Sequence, residues 1–418
     1  MTVRTESAVR LVLTDRFYRA ATLALFLYGI AISATVPQMT LFLTTELGAS
    51  LSTAGCYFLT YAAAPVAGWF IGRWSDTRSD RLVIFRSCVL VAGAGWLAIG
   101  LSTRLWMPFA IGAVVLCLSG AIMAQLMAAV RDQLSRRPTA AENRVLAFVR
   151  MGFSAGWVVG PVLGTWVGSA YGTRTLIVLT AVCTWAQLIP IGRQRIERYV
   201  PPSTPGAAVE RRGTVRPLVI FTGLSVLAMS GDTIKFAYLP LYLTDQLHAS
   251  ALALGAVIAV QPLLELVLIP VAARLADRFD PLIVMTIATV FGVAAGLTFS
   301  LGGSTPAMFI GQVLNSVMWA ALAGLGVSIA QQLYPERVAT ASGLFSGGVM
   351  LAFAVGGAVG ALGVVGLGLP GIFVVPAVFC AVALVGLGLL WRHPGVRVSW
   401  STASDAPPVV AEAGTVDR

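Results

Sequence analysis

Long apolar runs alternate with short polar segments along the chain. A transmembrane helix needs about 20 mostly apolar residues. Runs of that kind are not broken by the alternating polarity of an outer-membrane barrel strand. The sequence therefore predicts an all-α integral membrane protein with twelve transmembrane helices. The predicted spans are 17–43, 53–72, 82–101, 106–130, 145–168, 174–191, 218–243, 251–273, 282–301, 306–330, 338–363 and 370–391.

Composition agrees with this reading. Of the 418 residues, 57% are hydrophobic and 11% are charged, whereas soluble globular proteins carry about 25% charged residues. These values exclude a disordered, collagen-like or disulfide-stapled chain. Five cysteines lie in apolar segments without a metal-binding spacing, and His248 and His393 stand apart. We therefore predict neither a metal site nor a cofactor.

Basic residues are concentrated in every second loop. The chain has one lysine and a formal net charge of +10, which by itself would be compatible with binding nucleic acid. Of the 27 arginines, 24 fall in segments that share one side of the membrane, and only Arg104 and Arg174 fall in loops on the other. Cytoplasmic loops of membrane proteins carry such an excess. We expect a multi-pass protein of the cell membrane with both termini in the cytoplasm and no nucleic-acid partner.

The chain contains an internal repeat. Residues 41–50 (LFLTTELGAS) match residues 241–250 (LYLTDQLHAS) at six of ten positions, an offset of 200 residues. A match in this register predicts two six-helix halves of the same orientation, as in transporters built from parallel repeats. The predicted organisation is an N-terminal half at 1–191, a cytoplasmic linker at 192–217, a C-terminal half at 218–391 and a disordered cytoplasmic tail at 392–418.

Two motifs resemble those of the major facilitator superfamily. The segment Gly72-Arg-Trp-Ser-Asp76, followed by Arg78 and Arg81, resembles the loop between spans 2 and 3, although Ser79 replaces the usual glycine. Asp277-Arg278 is a looser second copy, and Arg131 lies in the corresponding loop after span 4. The resemblance implies that these residues control gating.

Span 5 carries a second motif, Gly156-x-x-x-Gly160-Pro161-x-x-Gly164. It resembles a motif of proton-coupled exporters in the same superfamily, which implies efflux and a gating role for these four residues. Small residues at this spacing also let transmembrane helices pack closely. A packing groove without directional meaning is therefore the alternative interpretation.

Scattered matches over most of the chain resemble the sugar efflux transporter family. They are found in five spans: Phe148-Val-Arg150 with Ala155-Gly-Trp157, Gln125-Leu126, Pro240-Leu-Tyr-Leu, Leu264-Glu265 and Leu314-Asn315. The resemblance implies export of sugars or glycoside-like solutes, and it does not identify one substrate.

Four charged residues lie inside predicted spans: Arg150, Asp232, Lys235 and Glu265. Each costs about 2.5–3.5 kcal/mol at the bilayer centre, so such residues usually serve a function. Asp232 and Glu265 each lie about 21 Å along their helices, near the midplane where transporters bind substrate and ions. We interpret all four as candidates for proton coupling.

Two pairings of these charges are expected. Lys235 follows Asp232 by three positions on one helix face, as a neutralising pair or as a pair that a proton can open. Arg150 either reaches the membrane surface or forms an ion pair with Glu265 between the halves, which would suit a gate.

Polar and aromatic residues inside spans are candidates for binding substrate. Amide side chains can donate to and accept from sugar hydroxyls, and aromatic faces can cover the apolar side of a sugar ring. We select Gln125, Asn315, Trp157 and Tyr61. Hydrogen bonding between helices and aromatic packing are the alternatives for each of them.

The predicted function is proton-coupled efflux of sugars or glycosides by alternating access, with the proton gradient as the energy source. No nucleotide-binding loop or catalytic constellation occurs in the sequence, so we predict that the protein is not an enzyme. The expected partners are a small solute and membrane lipid, and the expected state is a monomer. Multidrug antiport and a non-transporting membrane sensor are the alternatives.

Overall fold

The computed structural model describes residues 8–64, 70–71, 74, 80–137, 142–197, 215–335, 338–393 and 396. In this part of the chain the secondary structure is almost entirely helical, and one isolated bridge joins Asp80 to Glu197. The α-helices are α1 Ala8–Thr14, α2 Arg16–Thr35, α3 Met39–Thr45, α4 Leu51–Cys56, α5 Arg81–Gly100, α6 Trp106–Arg136, α7 Glu142–Tyr171, α8 Thr173–Ala186, α9 Leu188–Ile191, α10 Arg216–Leu241, α11 Ala251–Ala276, α12 Pro281–Leu301, α13 Thr305–Leu333, α14 Val338–Gly371 and α15 Val374–Arg392. Two 3₁₀ segments, Val36–Gln38 and Tyr57–Ala63, and one π segment, Tyr242–Gln246, complete the set.

Eleven helices within the described residues are long and apolar enough to cross a membrane. Each of them overlaps one of the predicted spans. The predicted span at 53–72 is the exception, because only Leu51–Ala64 and residues 70–71 of that region are described. Several helices extend past the predicted limits, as α6 does from 130 to Arg136, since a helix can continue after its apolar run has ended.

The repeated sequence folds in the same way in both copies. After the first copy's helix, the Ala49 N–H donates to the Leu43 carbonyl oxygen at 2.9 Å, and Ala249 donates to Leu243 at 2.8 Å in the second copy. Ser50 and Ser250 then accept hydrogen bonds from the backbone N–H groups three residues later, and each begins the next helix. Serine is a favoured N-cap because its oxygen satisfies one free N–H group. The repeat is therefore a turn-and-cap unit used twice.

A row of glycines brings α7 against α2. Gly152, Gly156, Gly160 and Gly164 recur every four residues on one face of α7, and a Cβ atom on any of them would clash with α2. At Gly156, for example, that Cβ would lie 2.7 Å from the Ile30 nitrogen and 2.8 Å from the Gly29 Cα. Glycines at this spacing allow two helix backbones to touch.

The segment that follows α9 is held against α5 and α6. The Asp80 carboxylate caps α5 by accepting from the Leu82 N–H at 3.0 Å and also accepts from the Ile196 N–H at 3.2 Å. Arg86 donates to the Gly192 carbonyl oxygen at 3.0 Å. These contacts fix residues 192–197, the first part of the predicted linker, on the helix ends.

Candidate functional site

A buried network of polar side chains joins three helices. Asp232 and Lys235 come from α10, Gln261 and Glu265 from α11, and Asn315 from α13. Asp232 and Lys235 lie three residues apart and form an ion pair. Asn315 Nδ2 donates to Asp232 Oδ1 at 3.0 Å and to Gln261 Oε1 at 3.1 Å. The network thus connects three of the four predicted intramembrane charges with one predicted substrate residue.

The Asp232–Lys235 pair lies deep within the protein. The two side chains are 4% and 3% exposed, respectively. An isolated charge in such surroundings is very unfavourable, and a paired charge with further hydrogen bonds is tolerated. Lys235 also donates to Gln261 Oε1, and Asp232 has the additional donor Asn315. Each charge therefore has one partner of opposite charge and one amide partner.

Glu265 lies at the more accessible end of the network. It is partly buried, and its Oε1 accepts a hydrogen bond from Gln261 Nε2 at 2.9 Å. The part of the chain that the structure describes places no cation in contact with Glu265. With Asp232 neutralised by Lys235, the network as a whole carries one net negative charge when both acids are ionised.

Aromatic rings lie next to the polar network. The Phe236 ring has the Lys235 ammonium 4.8 Å from its centroid, a cation–π distance. Phe236 packs against Trp157 of α7 with centroids 6.0 Å apart, and Trp157 packs against Phe153 at 6.1 Å. The Trp157 Nε1–H is buried and has no hydrogen-bond partner among the described residues. A polar network with an adjoining aromatic face and a free donor is suited to a ligand with both hydroxyl and apolar surfaces.

The other two predicted substrate residues lie outside this network. Tyr61 stacks on Phe353 of α14 at 4.8 Å and on Phe58 at 6.4 Å, so it contributes an aromatic surface where the 3₁₀ segment meets α14. Gln125 is buried on α6, a helix that contributes none of the five network residues. The structure therefore brings Asn315 and Trp157 to one place and leaves Gln125 and Tyr61 elsewhere.

The predicted ion pair between Arg150 and Glu265 is absent from this conformation. Arg150 is exposed on α7, whereas Glu265 accepts from Gln261. The sequence placed both residues at a similar depth but could not specify the rotation of α7 and α11 about their axes.

The predicted gating residues fall into two groups. Gly72, Asp76 and Arg78 lie outside the described residues. Among the described ones, Arg81 binds Asp132 through Nε–Oδ2 at 3.0 Å. Arg131, Asp277 and Arg278 are exposed at the ends of α6 and α11. Gly156, Gly160 and Gly164 pack α7 on α2, and Pro161 lies in the same helix. Packing accounts for the glycine spacing, and the gating role of these residues stays a prediction.

Helices from the N-terminal part of the chain, α4 and the 3₁₀ segment after it, are in tight contact with α10 and α14 at one end of the bundle, which we call the closed end. Tyr238 of α10 is fully buried, and its hydroxyl occupies the space that a Cβ atom on Gly55 of α4 would need. The Ser52 hydroxyl donates to the Ala361 carbonyl oxygen at 2.7 Å. A Cβ on Gly357 would lie 2.7 Å from the Phe58 Cβ. These contacts pack α4 and the 3₁₀ segment closely against α10 and α14 at this end.

Sequence reasoning did not select the residue that links the network. Gln261 was visible only as an uncharged polar residue within a span, and Phe236 and Tyr238 only as aromatic residues. One signal was available: Gln261 precedes Glu265 by four positions, so the two share a helix face. No sequence signal indicated that Gln261 would also meet Lys235 and Asn315.

Comparison with known proteins finds similarity to membrane transporters. The family model described as Major Facilitator Superfamily matches residues 21–217 and 220–413. A predicted sugar efflux transporter of Deinococcus radiodurans is 29% identical over 354 residues, covering 81% of this chain and 89% of that protein. Sugar efflux transporter C of Escherichia coli is 24% identical over 353 residues, covering 81% and 86%. The multidrug resistance protein MdtG of Serratia proteamaculans is 25% identical over 299 residues, covering 66% and 69%.

Solved structures show the same fold at low sequence identity. The crystal structure of the nucleoside transporter NupG matches 91% of this chain and 100% of that chain, with a TM-score of 0.74 and 12% identity. At this identity the likeness concerns the helical architecture alone.

Proposed function

Because the chain belongs to the Major Facilitator Superfamily, we propose that it exports sugars or glycosides across the membrane by alternating access, driven by the proton gradient. Family membership confirms the predicted class, a multi-pass membrane transporter and not an enzyme. It also confirms the resemblance on which that prediction rested. The sugar efflux transporters among its relatives support the substrate class, because they match 81% of this chain and the multidrug relative matches 66%. The sequence identities of these relatives are similar, at 29%, 24% and 25%, respectively.

The observation that carries the proposal is the polar network beside the aromatic cluster. Trp157 provides an indole N–H next to the Phe236 ring. Asn315 provides a buried amide in the polar network whose Lys235 lies over the same ring. Sugars offer hydroxyl groups on their edges and C–H groups on their ring faces, so they match this combination. A cavity suited to multidrug transport would be largely apolar with one acid, whereas five polar side chains meet here.

Proton coupling is assigned to Asp232 and Glu265. Both are carboxylates within membrane-spanning helices, where charged residues commonly belong to proton relays. Protonation of Asp232 would remove the counter-charge of Lys235, and protonation of Glu265 would remove the net charge of the network. Either event changes the electrostatic balance of three helices at once.

We also propose how the protein is arranged in the membrane. The described helices and the predicted span at 53–72 give twelve spans in two six-helix halves in the cell membrane, acting as a monomer surrounded by lipid. The side rich in arginine is placed in the cytoplasm, with both termini. The closed end then faces outward, and the described conformation is one in which exchange with the outside is blocked.

Flux measurements in proteoliposomes test the proposal. We expect saturable flux of radiolabelled lactose or a simple glucoside that increases with an imposed proton gradient. Glu265→Gln and Asp232→Asn should lower gradient-driven flux at least tenfold, whereas Asp245→Asn, an exposed carboxylate at the closed end, should not.

Each other outcome selects an alternative. Sugar flux that does not change with the proton gradient would support the proposed substrate class and refute proton coupling. Movement of a cationic dye without sugar flux would establish multidrug antiport. A correctly folded protein that moves neither would favour the non-transporting sensor.

A further inference from the structure

Among the described residues, Gln261 is the only member of the network that forms hydrogen bonds both with the Asp232–Lys235 pair and with Glu265. It is 5% exposed on α11. Its Oε1 accepts from Lys235 and Asn315, and its Nε2 donates to Glu265. Among the residues that the structure describes, no other hydrogen bond or ion pair joins this network's Glu265 to the Asp232–Lys235 pair.

The surroundings of Gln261 determine the orientation of its amide. An ammonium group and an amide NH₂ are donors, and a carboxylate accepts. If the amide were reversed, its NH₂ would face Lys235 and Asn315, two donors, and its oxygen would face the Glu265 carboxylate. The observed orientation satisfies all three neighbours, and the hydrogen bond to Glu265 adds to the hold that Lys235 and Asn315 exert on the amide.

The Gln261–Glu265 bond depends on the charge of Glu265. Hydrogen bonds to an ionised carboxylate are roughly twice as strong as those between neutral groups. Protonation of Glu265 therefore weakens the hold on Gln261 Nε2, and the same amide carries one of the two acceptors of Lys235. A change at Glu265 is transmitted in this way to a pair that lies on a different helix.

We propose that Gln261 is a positioning residue that couples the protonation state of Glu265 to the Asp232–Lys235 pair. Tyr238 lies one turn beyond Lys235 on α10 and occupies the closed end, so α10 connects the pair to the contact that must open. The inference rests on the proposed proton-coupled transport. It assigns to the Gln261 amide the connection between protonation of Glu265 and movement of α10.

The test separates coupling from binding. Gln261→Leu removes the amide at nearly constant volume, and Gln261→Asn keeps an amide too short to reach both sides. Gln312→Leu is the matched control, because Gln312 is also a buried glutamine, 1% exposed, and its amide atoms have no partner among the described residues. Sugar counterflow, which needs no net proton movement, is compared with gradient-driven uptake in the same proteoliposomes.

Gln261→Leu is expected to retain counterflow within about threefold of the wild type and to lose gradient-driven transport at least tenfold. Gln261→Asn should show the same split, and Gln312→Leu should keep both activities. Full gradient-driven transport in Gln261→Leu would overturn the proposal. Equal loss of counterflow and gradient-driven transport in folded protein would also overturn it, because Gln261 would then serve substrate binding.

A second measurement needs no substrate and so separates this inference from the proposed function. Infrared titration follows the carboxyl band that disappears in Glu265→Gln. The midpoint of that band should shift in Gln261→Leu and remain unchanged in Gln312→Leu. A wild-type protein without sugar flux would refute the proposed function, while an unchanged midpoint in Gln261→Leu would refute the link itself.

Discussion

At the scale of single residues, the buried Asp232–Lys235 pair carries a desolvation cost. Its two charges are almost fully removed from solvent, and hydrophobic replacements of such pairs are often as stable as the pair itself. Its presence in the membrane-spanning part of the chain therefore indicates a functional need. The only lysine of the protein is placed where its charge is compensated by one carboxylate.

Removing one partner of this pair should destabilise the protein more than removing both. We expect Lys235→Met and Asp232→Asn each to lower the free energy of unfolding by about 3 kcal/mol, because each leaves a buried group without its partner. The double variant should lose clearly less than the sum. Unfolding in detergent micelles measures the three values, and Arg278→Gln on the exposed end of α11 is the control. Strictly additive losses would show that the two charges do not interact.

At the scale of elements, the helices are defined by local sequence and joined by small residues. The contact of α7 with α2 depends on glycines that allow the two backbones to touch. The repeated turn-and-cap unit at Ser50 and Ser250 depends on one serine in each copy. Both features are visible as spacings along the chain, because they follow from the geometry of one helix.

A methyl group at Gly156 should disturb the contact of α7 with α2. Gly156→Ala is expected to cost about 1–3 kcal/mol, the usual range for overpacking, because its Cβ would clash with backbone atoms of α2. Gly168→Ala on the same helix is the matched control, since its Cβ would lie 3.8 Å from the nearest atom, a Leu176 methyl. Thermal unfolding of the two variants in micelles measures the difference. Similar losses in both would mean that helix propensity, and not packing, determines the effect.

At the scale of the whole molecule, the two repeats meet through Tyr238, Gly55, Ser52 and Ala361 at the closed end. Contacts of this kind must separate if the protein works by alternating access. A substitution that fills the space of the Tyr238 hydroxyl should therefore favour the state in which this end is open.

Gly55→Ala should shift the conformational equilibrium toward opening of the closed end. Spin labels on cysteines at Thr45 and Asp245, exposed positions in the two repeats, report the separation in a background without native cysteines. We expect a larger population of long distances than in the parent protein. Gly223→Ala is the control, because a Cβ there meets nothing within 4 Å. An unchanged distance distribution would show that Tyr238 adapts without opening this end.

The sequence by itself determined the membrane-spanning segments, the repeat and the positions of the buried charges. Each of these depends on how a segment partitions between water and lipid, or on the spacing within one helix, so no knowledge of neighbouring helices was needed. The eleven membrane-length helices among the described residues overlap eleven of the twelve predicted spans for this reason. The glycine spacing in α7 likewise indicated close packing before any partner helix was known.

Only the tertiary structure decided which polar groups meet. Gln261 contacts Lys235, Asn315 and Glu265, whereas Arg150 stays apart from Glu265. These outcomes depend on the rotation and crossing of α7, α10, α11 and α13, which are set by side chains far apart in the chain. Hydropathy places a residue at a depth in the membrane, and packing between helices selects the neighbour that it faces there.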